Sequence, residues 1–273
     1  MSRFLVEGSG AAGDGGADAG ADAGADAEAD AGSGRFDPVF DRMAVEEPLH
    51  VEFEGVAVGS TMRTPGADED LAAGLLFSLG LVTGLGRDRA LEFFAADSVL
   101  RVRRMPGSGP LGPGSVPGAA RPAGLTVAPG GGAGGGASGG LKPLTNQELA
   151  ERLLAMRRTL EARQQHFRST GATHCTMLFD RRGEPLGFGE DVGRHNAFDK
   201  AVGAALRAGW LSRACFGVVS SRLNHEIVSK ALHTRLMVLA GFSAATTVAV
   251  DLAREHGLTL VGRLRETGMV LYT

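Results

Sequence analysis

Residues 190 to 200 read EDVGRHNAFDK and gather Glu190, Asp191, Arg194, His195, Asn196, Asp199 and Lys200 between two mostly apolar stretches. Acid–base catalysis, metal ligation, anion binding and a charged helix start are all open to such a set. Glu190 and Asp191 are of the type a general acid and base require. His195 and Asp199 stand four apart, so on a helix they share a face and can pair with each other. A metal needs further ligands at readable spacing; none stands nearby, so no structural metal is expected.

Two more segments join this one: VVSSRLNHE, with Ser220, Ser221, Arg222 and Asn224, and AGFSAATT, with Ser243, Thr246 and Thr247. Each leaves an apolar strand-like run and enters a helix-like one. Ligands in open α/β sheets sit where strands hand over to helices, and free N–H groups with the helix dipole favour anions there. Arg194 and Arg222 add forked donors that suit phosphate oxygens. Helix capping by Ser and Thr is the simpler reading of any one loop. Three such loops together, two of them with an arginine, point to a phosphate-bearing ligand.

The elements that must position these residues read as follows. TNQELAERLLAMRRTLEARQQHF begins with a capping box, Thr145 and Glu148, and predicts one helix to about Phe167. HCTMLFD and LGFGED read as strands joined by the turn RRGEP, and a helix is expected from Arg194 to about Ala208. CFGVVS, LMVLAGF, LTLVGRL and MVLYT read as strands, with helices over LNHEIVSKALHT and AATTVAVDLAREHG. Fully apolar strands alternating with helices predict an α/β layer structure with a partly parallel sheet. Upstream, EEPLHVEFEGVAV alternates Leu49, Val51 and Phe53 as a half-buried strand does. MRTPGADEDLAAGLLFSLGLV predicts a helix capped by Asp68, and LEFFAADSVLRVRR one or two strands.

Four segments follow from composition. Residues 1–35 form an acidic Ala/Gly/Asp tail, expected to be disordered because residues 8 to 34 contain no branched aliphatic or aromatic side chain to bury. Residues 36–105 form an α+β part, 106–140 a Gly/Pro-rich flexible loop, and 141–273 the α/β domain. Residues 1 to 34 hold seven of the 31 acidic and one of the 28 basic residues, which leaves 24 acidic against 27 basic. That mild surplus excludes a general nucleic-acid binder but suits a local anion pocket. No signal peptide and no membrane span are expected, and a cytoplasmic location is the default.

Cys175 and Cys215 are the chain's two cysteines and share no CxxC or zinc-type spacing. Cys175 would be a nucleophile only if ionised; its neighbour His174 points to the opposite strand face, so a buried structural cysteine is expected. His174 itself reads as a partly buried strand residue, and Met177 and Met237 as core.

EEPLHVEFEG, MRTPGADEDLAAGLLFSLGLV, FDRRGEPLGFGEDVGRHNAFDKAVG, SSRLNHEIVSKA and SAATTVAVDLAREHGLTLVGRLRETGMVLYT resemble the FdhD family in order, over about residues 40 to 105 and 145 to 273. These are sulfur-carrier accessory proteins of molybdenum-dependent formate dehydrogenases. The resemblance implies a cytidine-deaminase-like α/β/α C-terminal domain and a homodimer. It implies sulfur taken from a cysteine desulfurase and passed to the bis(molybdopterin guanine dinucleotide) molybdenum cofactor before that cofactor enters apo-formate dehydrogenase. By resemblance, the pocket is lined by Arg63, Arg194, His195, Asn196, Asp199, Lys200, Arg222, Ser243 and Thr246. The segment touching the cofactor falls on Arg263, Leu264, Arg265, Glu266, Thr267 and Gly268.

Departures bear on the activity. The family's sulfur-carrying cysteine lies in a CxxC-type loop, whereas residues 106–140 contain no cysteine. Ser221, Ala245 and Gly268 stand where the family usually has Gly, Pro and Arg. If sulfur transfer is retained, Cys175 is the thiol to consider; the alternative is a non-catalytic, cofactor-binding chaperone. His225-Glu226 has no partner PCxxC, so deaminase chemistry is not supported.

Overall fold

A computed structural model describes residues 5–7, 41–82, 91–104 and 144–273. The expected flexible loop over 106–140, and nearly all of the expected disordered tail, lie outside these residues. Leu5–Glu7 falls inside that tail and is a short strand, β1, paired antiparallel with β2, Arg42–Ala44. It lies ahead of the Ala/Gly/Asp tract and contains the branched residues the tract lacks.

The first unit is built from β3 (Glu47–Phe53), β4 (Val56–Arg63), α1 (Asp68–Ser78), β5 (Leu91–Ala96) and β6 (Val99–Arg104). Its sheet has the order β4-β3-β6-β5, with β3 and β6 parallel and the other pairs antiparallel. Glu54 and Gly55 both take positive φ, 52° and 78°, which joins β3 and β4 through a tight hairpin turn. Leu49, Val51 and Phe53 are buried, as their alternation predicts.

The second unit contains α2 (Asn146–Glu161), α3 (Gln165–Thr170), β7 (His174–Phe179), β8 (Pro185–Asp191), α4 (Arg194–Arg207), β9 (Phe216–Val219), α5 (His225–His233), β10 (Val238–Gly241), α6 (Thr247–Glu255), β11 (Thr259–Arg265) and β12 (Gly268–Leu271). Its sheet has the order β12-β11-β10-β9-β7-β8. β9, β10 and β11 run parallel; β7 is antiparallel to both β8 and β9, so β8 shares the direction of β9. The C-terminal ends of β8, β9, β10 and β11 therefore lie along one edge, together with the start of β7.

One sheet face is covered by α2, whose Leu149, Leu153, Met156 and Leu160 meet Met177, Phe179, Phe216, Val238 and Val261. The other is covered by α4, α5 and α6. From there one core continues through α1 to Leu49, Val51 and Leu100 of the first unit. The α1–α4 contact is backbone to backbone: a Cβ at Gly74 would lie 1.9 Å from the Asp199 carbonyl oxygen, and one at Gly203 would lie 1.8 Å from that of Asp70. Met177 and Met237 are buried. Among the described residues no helix is long and apolar enough to cross a membrane.

Two local expectations are corrected. The helix expected to run unbroken to Phe167 divides at Gln164. The buried carboxylate of Glu190 accepts the N–H groups of Gln165, His166 and Phe167, giving α3 an N-terminus of its own. No Gly or Pro marks that break, so a tertiary contact overrides a locally helical sequence. Asp68 does not cap α1; the cap position is Ala67, in the left-handed region, and the Asp68 carboxylate takes Arg63 instead.

Candidate functional site

Three loops meet the shared sheet edge: β8 to α4, β9 to α5, and β10 to α6. The β11–β12 turn joins them, since the Arg263 N–H donates to the Ser243 carbonyl at 3.0 Å. The three helix N-termini differ. Asn224 caps α5 by accepting the Ile227 N–H at 3.1 Å, and Glu226 adds a negative charge to its first turn. α4 starts at Gly193 and α6 at Thr246, with no side-chain cap and no acid in either first turn. The capping expected of Ser and Thr is absent at Thr246, and the residue that does cap is Asn224. α4 and α6 turn N-termini without a side-chain cap toward the edge, although at α4 the Asp191 carboxylate accepts the Gly193 N–H at 2.9 Å.

Cationic side chains reinforce this. The buried Nε of Arg194 has no hydrogen-bond partner among the described residues. Arg222 is exposed, and its guanidinium forms no hydrogen bond or ion pair there. His174, at the start of β7, lies within electrostatic reach of both arginines. Burial holds its pKa below the usual histidine value, and repulsion from Arg194, Arg222 and His195 lowers it further. Arginines beside helix N-termini make an arrangement whose electrostatics favour negative charge.

His195 is half-buried, and burial lowers its pKa against the opposing pull of Glu226. Its Nε2 lies 2.7 Å from Glu226 Oε2, though the contact is not aligned as a hydrogen bond. Asp199 therefore does not pair with His195. It is fully buried, receives Lys230 at 2.6 and 2.7 Å, and accepts the Ser78 hydroxyl at 2.8 Å. Burial raises its pKa, and Lys230 opposes that shift.

Several residues expected to line the pocket are engaged elsewhere. Arg63 is 6 % exposed; its guanidinium makes two bonds to Asp68 and one, at 3.2 Å, to Glu47. The Lys200 ammonium lies 2.7 Å from Asp191 and donates to the Thr64 carbonyl at 2.8 Å. The Asn196 amide donates to the Met62 carbonyl and to Asp191, while its oxygen accepts the Thr61 hydroxyl. These groups tie the end of β4 to the start of α4, which is why MRTPG and EDVGRHNAFDK meet in space. Glu190 and Asp191 are likewise consumed, Glu190 by α3 and the Thr173 hydroxyl, Asp191 by Lys200, Asn196 and the Thr64 N–H. Neither carboxylate is free for acid–base work. Sequence reasoning missed Thr64, Ser78 and Lys230, whose partners are more than thirty residues away.

The β11–β12 segment is divided. Arg263, Arg265 and Thr267 are exposed, Ser243 is half-buried and Thr246 exposed at the neighbouring loop, while Leu264 is 1 % exposed and offers only its backbone. Glu266 is held by Arg158. Beside the outer edge of β8, a cavity of about 560 Å³ is lined by Pro65, Gly66, Arg163, Phe188 and Lys200. Among the described residues no group of three or more His, Cys, Asp or Glu could hold a metal ion.

Cys175 is 1 % exposed on the α2 side of the sheet, and burial pushes its thiol pKa far up. A thiol so placed is shielded from solvent and disfavoured as a thiolate, which argues against Cys175 as a nucleophile. Cys215 is 8 % exposed, and burial raises its pKa too.

An α/β/α protein with a small α+β unit tied to one edge of its sheet is the class this geometry defines. The crystal structure of a candidate formate dehydrogenase accessory protein from Desulfotalea psychrophila shares the fold: the TM-score is 0.64 at 18 % identity, over 86 % of this chain and 89 % of that one. The FdhD/NarQ family matches residues 44–273, and the chain belongs to that family. The protein named sulfur carrier protein FdhD in Anaeromyxobacter dehalogenans strain 2CP-1 is 38 % identical over 262 residues, 86 % of this chain and 87 % of that protein. Those of the same name from Nocardia farcinica and Saccharolobus solfataricus are 36 % and 34 % identical, each over 85 % of this chain and over 86 % and 89 % of their own lengths.

Proposed function

We propose that this protein serves the sulfur-transfer step of formate dehydrogenase maturation by holding the bis(molybdopterin guanine dinucleotide) molybdenum cofactor, its substrate, at the shared sheet edge. The observation that carries this reading is the pair of α4 and α6 N-termini, neither with a side-chain cap or an acid in its first turn, beside Arg194 and Arg222, whose guanidinium groups have no hydrogen-bond partner among the described residues. Pyrophosphate groups are the chemistry such an edge receives. Arg194, Arg222 and Arg263 bind the phosphates, with His174 and the Ser243 and Thr246 hydroxyls completing the surface. The Asp191–Lys200–Thr64 network, Arg63 and Asn196 hold the edge in shape without touching the ligand. A cysteine desulfurase and cytoplasmic apo-formate dehydrogenase are the partners, and the protein works as a homodimer. Sulfur reaches the cofactor from a thiol outside this chain, because both of its cysteines are buried.

A second reading, in which the chain carries the sulfur itself, is favoured by its identity with proteins named sulfur carriers. Complementation of a bacterium that lacks its own family member separates the two. A Cys175→Ala/Cys215→Ala variant that restores formate dehydrogenase activity supports the binding role. Activity lost in that variant, with the fold intact, supports the second reading.

A further inference from the structure

Arg157 lies on α2, across the sheet from α4, α5 and α6, yet it touches two of the edge loops at once. Its guanidinium carbon sits 4.6 Å from the centroid of the Phe242 ring, which opens the β10–α6 loop immediately before Ser243. Its Nη1 donates to the Leu264 carbonyl in the β11–β12 segment. Glu161, one turn on, accepts from its Nε at 2.8 Å and sets the fork in place. The side chain is 19 % exposed, so this is a packed arrangement and not a surface contact.

The segment it holds needs holding. Val261 and Leu264 both enter the core on the α2 side, although strict alternation would put residues three apart on opposite faces. A bulge between Gly262 and Arg265 supplies the extra residue, and Arg263 within it takes a φ of +50°. A non-glycine residue there is strained and persists only where its surroundings impose it. The Leu264 carbonyl bond from Arg157 and the Arg263 N–H bond to Ser243 impose it from both sides.

From this geometry we infer that Arg157 is a positioning residue for the cofactor site: it fixes the Phe242–Thr246 loop and the Arg263–Gly268 turn relative to each other, and so aims Arg263. The inference rests on the cofactor-binding reading above. Arg157 reaches the ligand only through these two segments; it is not a phosphate contact. Arginine suits the task because one planar group stacks on a ring and donates in its own plane, which lysine cannot reproduce.

The test pairs hydrogen exchange with titration of a fluorescent GDP analogue, on wild type, Arg157→Ala and Arg157→Lys. In Arg157→Ala, exchange quickens in both the 242–246 and 263–268 segments while the β3–β6 sheet is unchanged. Affinity for the analogue falls on the order of tenfold. Its dependence on salt stays as in wild type, because no phosphate contact is removed. Arg157→Lys, which keeps the charge, restores the affinity only in part. Unchanged exchange in either segment, or full affinity despite quickened exchange, overturns the inference; if Arg157→Ala unfolds globally, Arg157→Lys decides by the same readings. Wild type that binds no GDP analogue overturns the pocket reading and the positioning role with it, whereas unchanged exchange overturns the positioning role alone.

Discussion

The Lys200 ammonium lies 2.7 Å from the Asp191 carboxylate, and the two residues are 1 % and 0 % exposed. Between them they hold four groups of the β4–α1 connection and α4 start: the Thr64 carbonyl, the Thr64 N–H, the Gly193 N–H and the Asn196 amide. A buried pair of this kind is costly to break from one side, because the survivor keeps its charge without a partner. Lys200→Met is therefore expected to lower unfolding stability by roughly 3–5 kcal/mol. Adding Asp191→Asn should recover part of that loss, since the contacting residues are not additive. Urea denaturation checks both. A Lys200→Met protein within about 1 kcal/mol of wild type would show that the pair does not hold the two units together.

The α1–α4 crossing makes a second prediction. Gly74→Ala and Gly203→Ala each place a methyl group inside the van der Waals radius of a carbonyl oxygen on the facing helix. The helices must separate, at a cost of about 1–3 kcal/mol or more. Gly59 meets only a Leu75 methyl at 3.6 Å, so Gly59→Ala should stay within roughly 0.5 kcal/mol. Thermal unfolding of the three variants should separate the first two from the third; equal melting temperatures would contradict the crossing.

How much of this was legible in the sequence depends on the range of the interaction. The order of β7 to β12, and the edge loops that carry Arg194, Arg222 and Ser243, follow from local periodicity and from the rule that strands hand ligands over to helices. The roles of Arg63, Asn196, Asp199 and Lys200 were not legible. Each is a charged or amide side chain of the right type beside the site, and only its distant partner reveals that it is already engaged. The break at Gln164 was hidden for the same reason: Glu190, twenty-five residues ahead, supplies the cap. Local spacing reports which face a residue shares, not which long-range bond it has spent.

His174 gives the pH dependence. Burial and two arginines hold its pKa below the ordinary value in the folded protein, so the unfolded chain binds the proton more readily. Its contribution to stability is fully present above about pH 6.5, the unfolded value, and is lost as the pH falls through the lower folded value. His174→Gln should flatten the loss of stability between pH 7 and 5. A bound anion reverses the electrostatics at His174, so binding takes up a proton and affinity rises as the pH falls toward 6. Calorimetric titrations in buffers of different ionisation enthalpy measure that uptake; none in wild type would place His174 outside the site.

The cysteines give the fourth prediction. With both thiols buried and shifted upward, the native protein at pH 7.5 should release no thiol to Ellman's reagent on the timescale of minutes. Unfolded in guanidinium it should release both of the chain's two. Incubation with a cysteine desulfurase and cysteine should likewise leave no persulfide on Cys175, read by peptide mass spectrometry. A rapidly reacting native thiol would reopen sulfur transfer by the chain itself.

The measurement that bears most directly on the account is calorimetric titration of GDP into wild type, Arg194→Ala, Arg222→Ala and Arg63→Ala. The first two substitutions remove guanidinium groups that make no hydrogen bond among the described residues and should weaken binding on the order of tenfold each, with melting temperatures close to wild type. Arg63→Ala should lower stability, because Asp68 and Glu47 lose their partner, while leaving affinity near wild type wherever the protein is folded. No GDP binding by wild type, or binding indifferent to both Arg194 and Arg222, would contradict the claim that the shared sheet edge receives the cofactor.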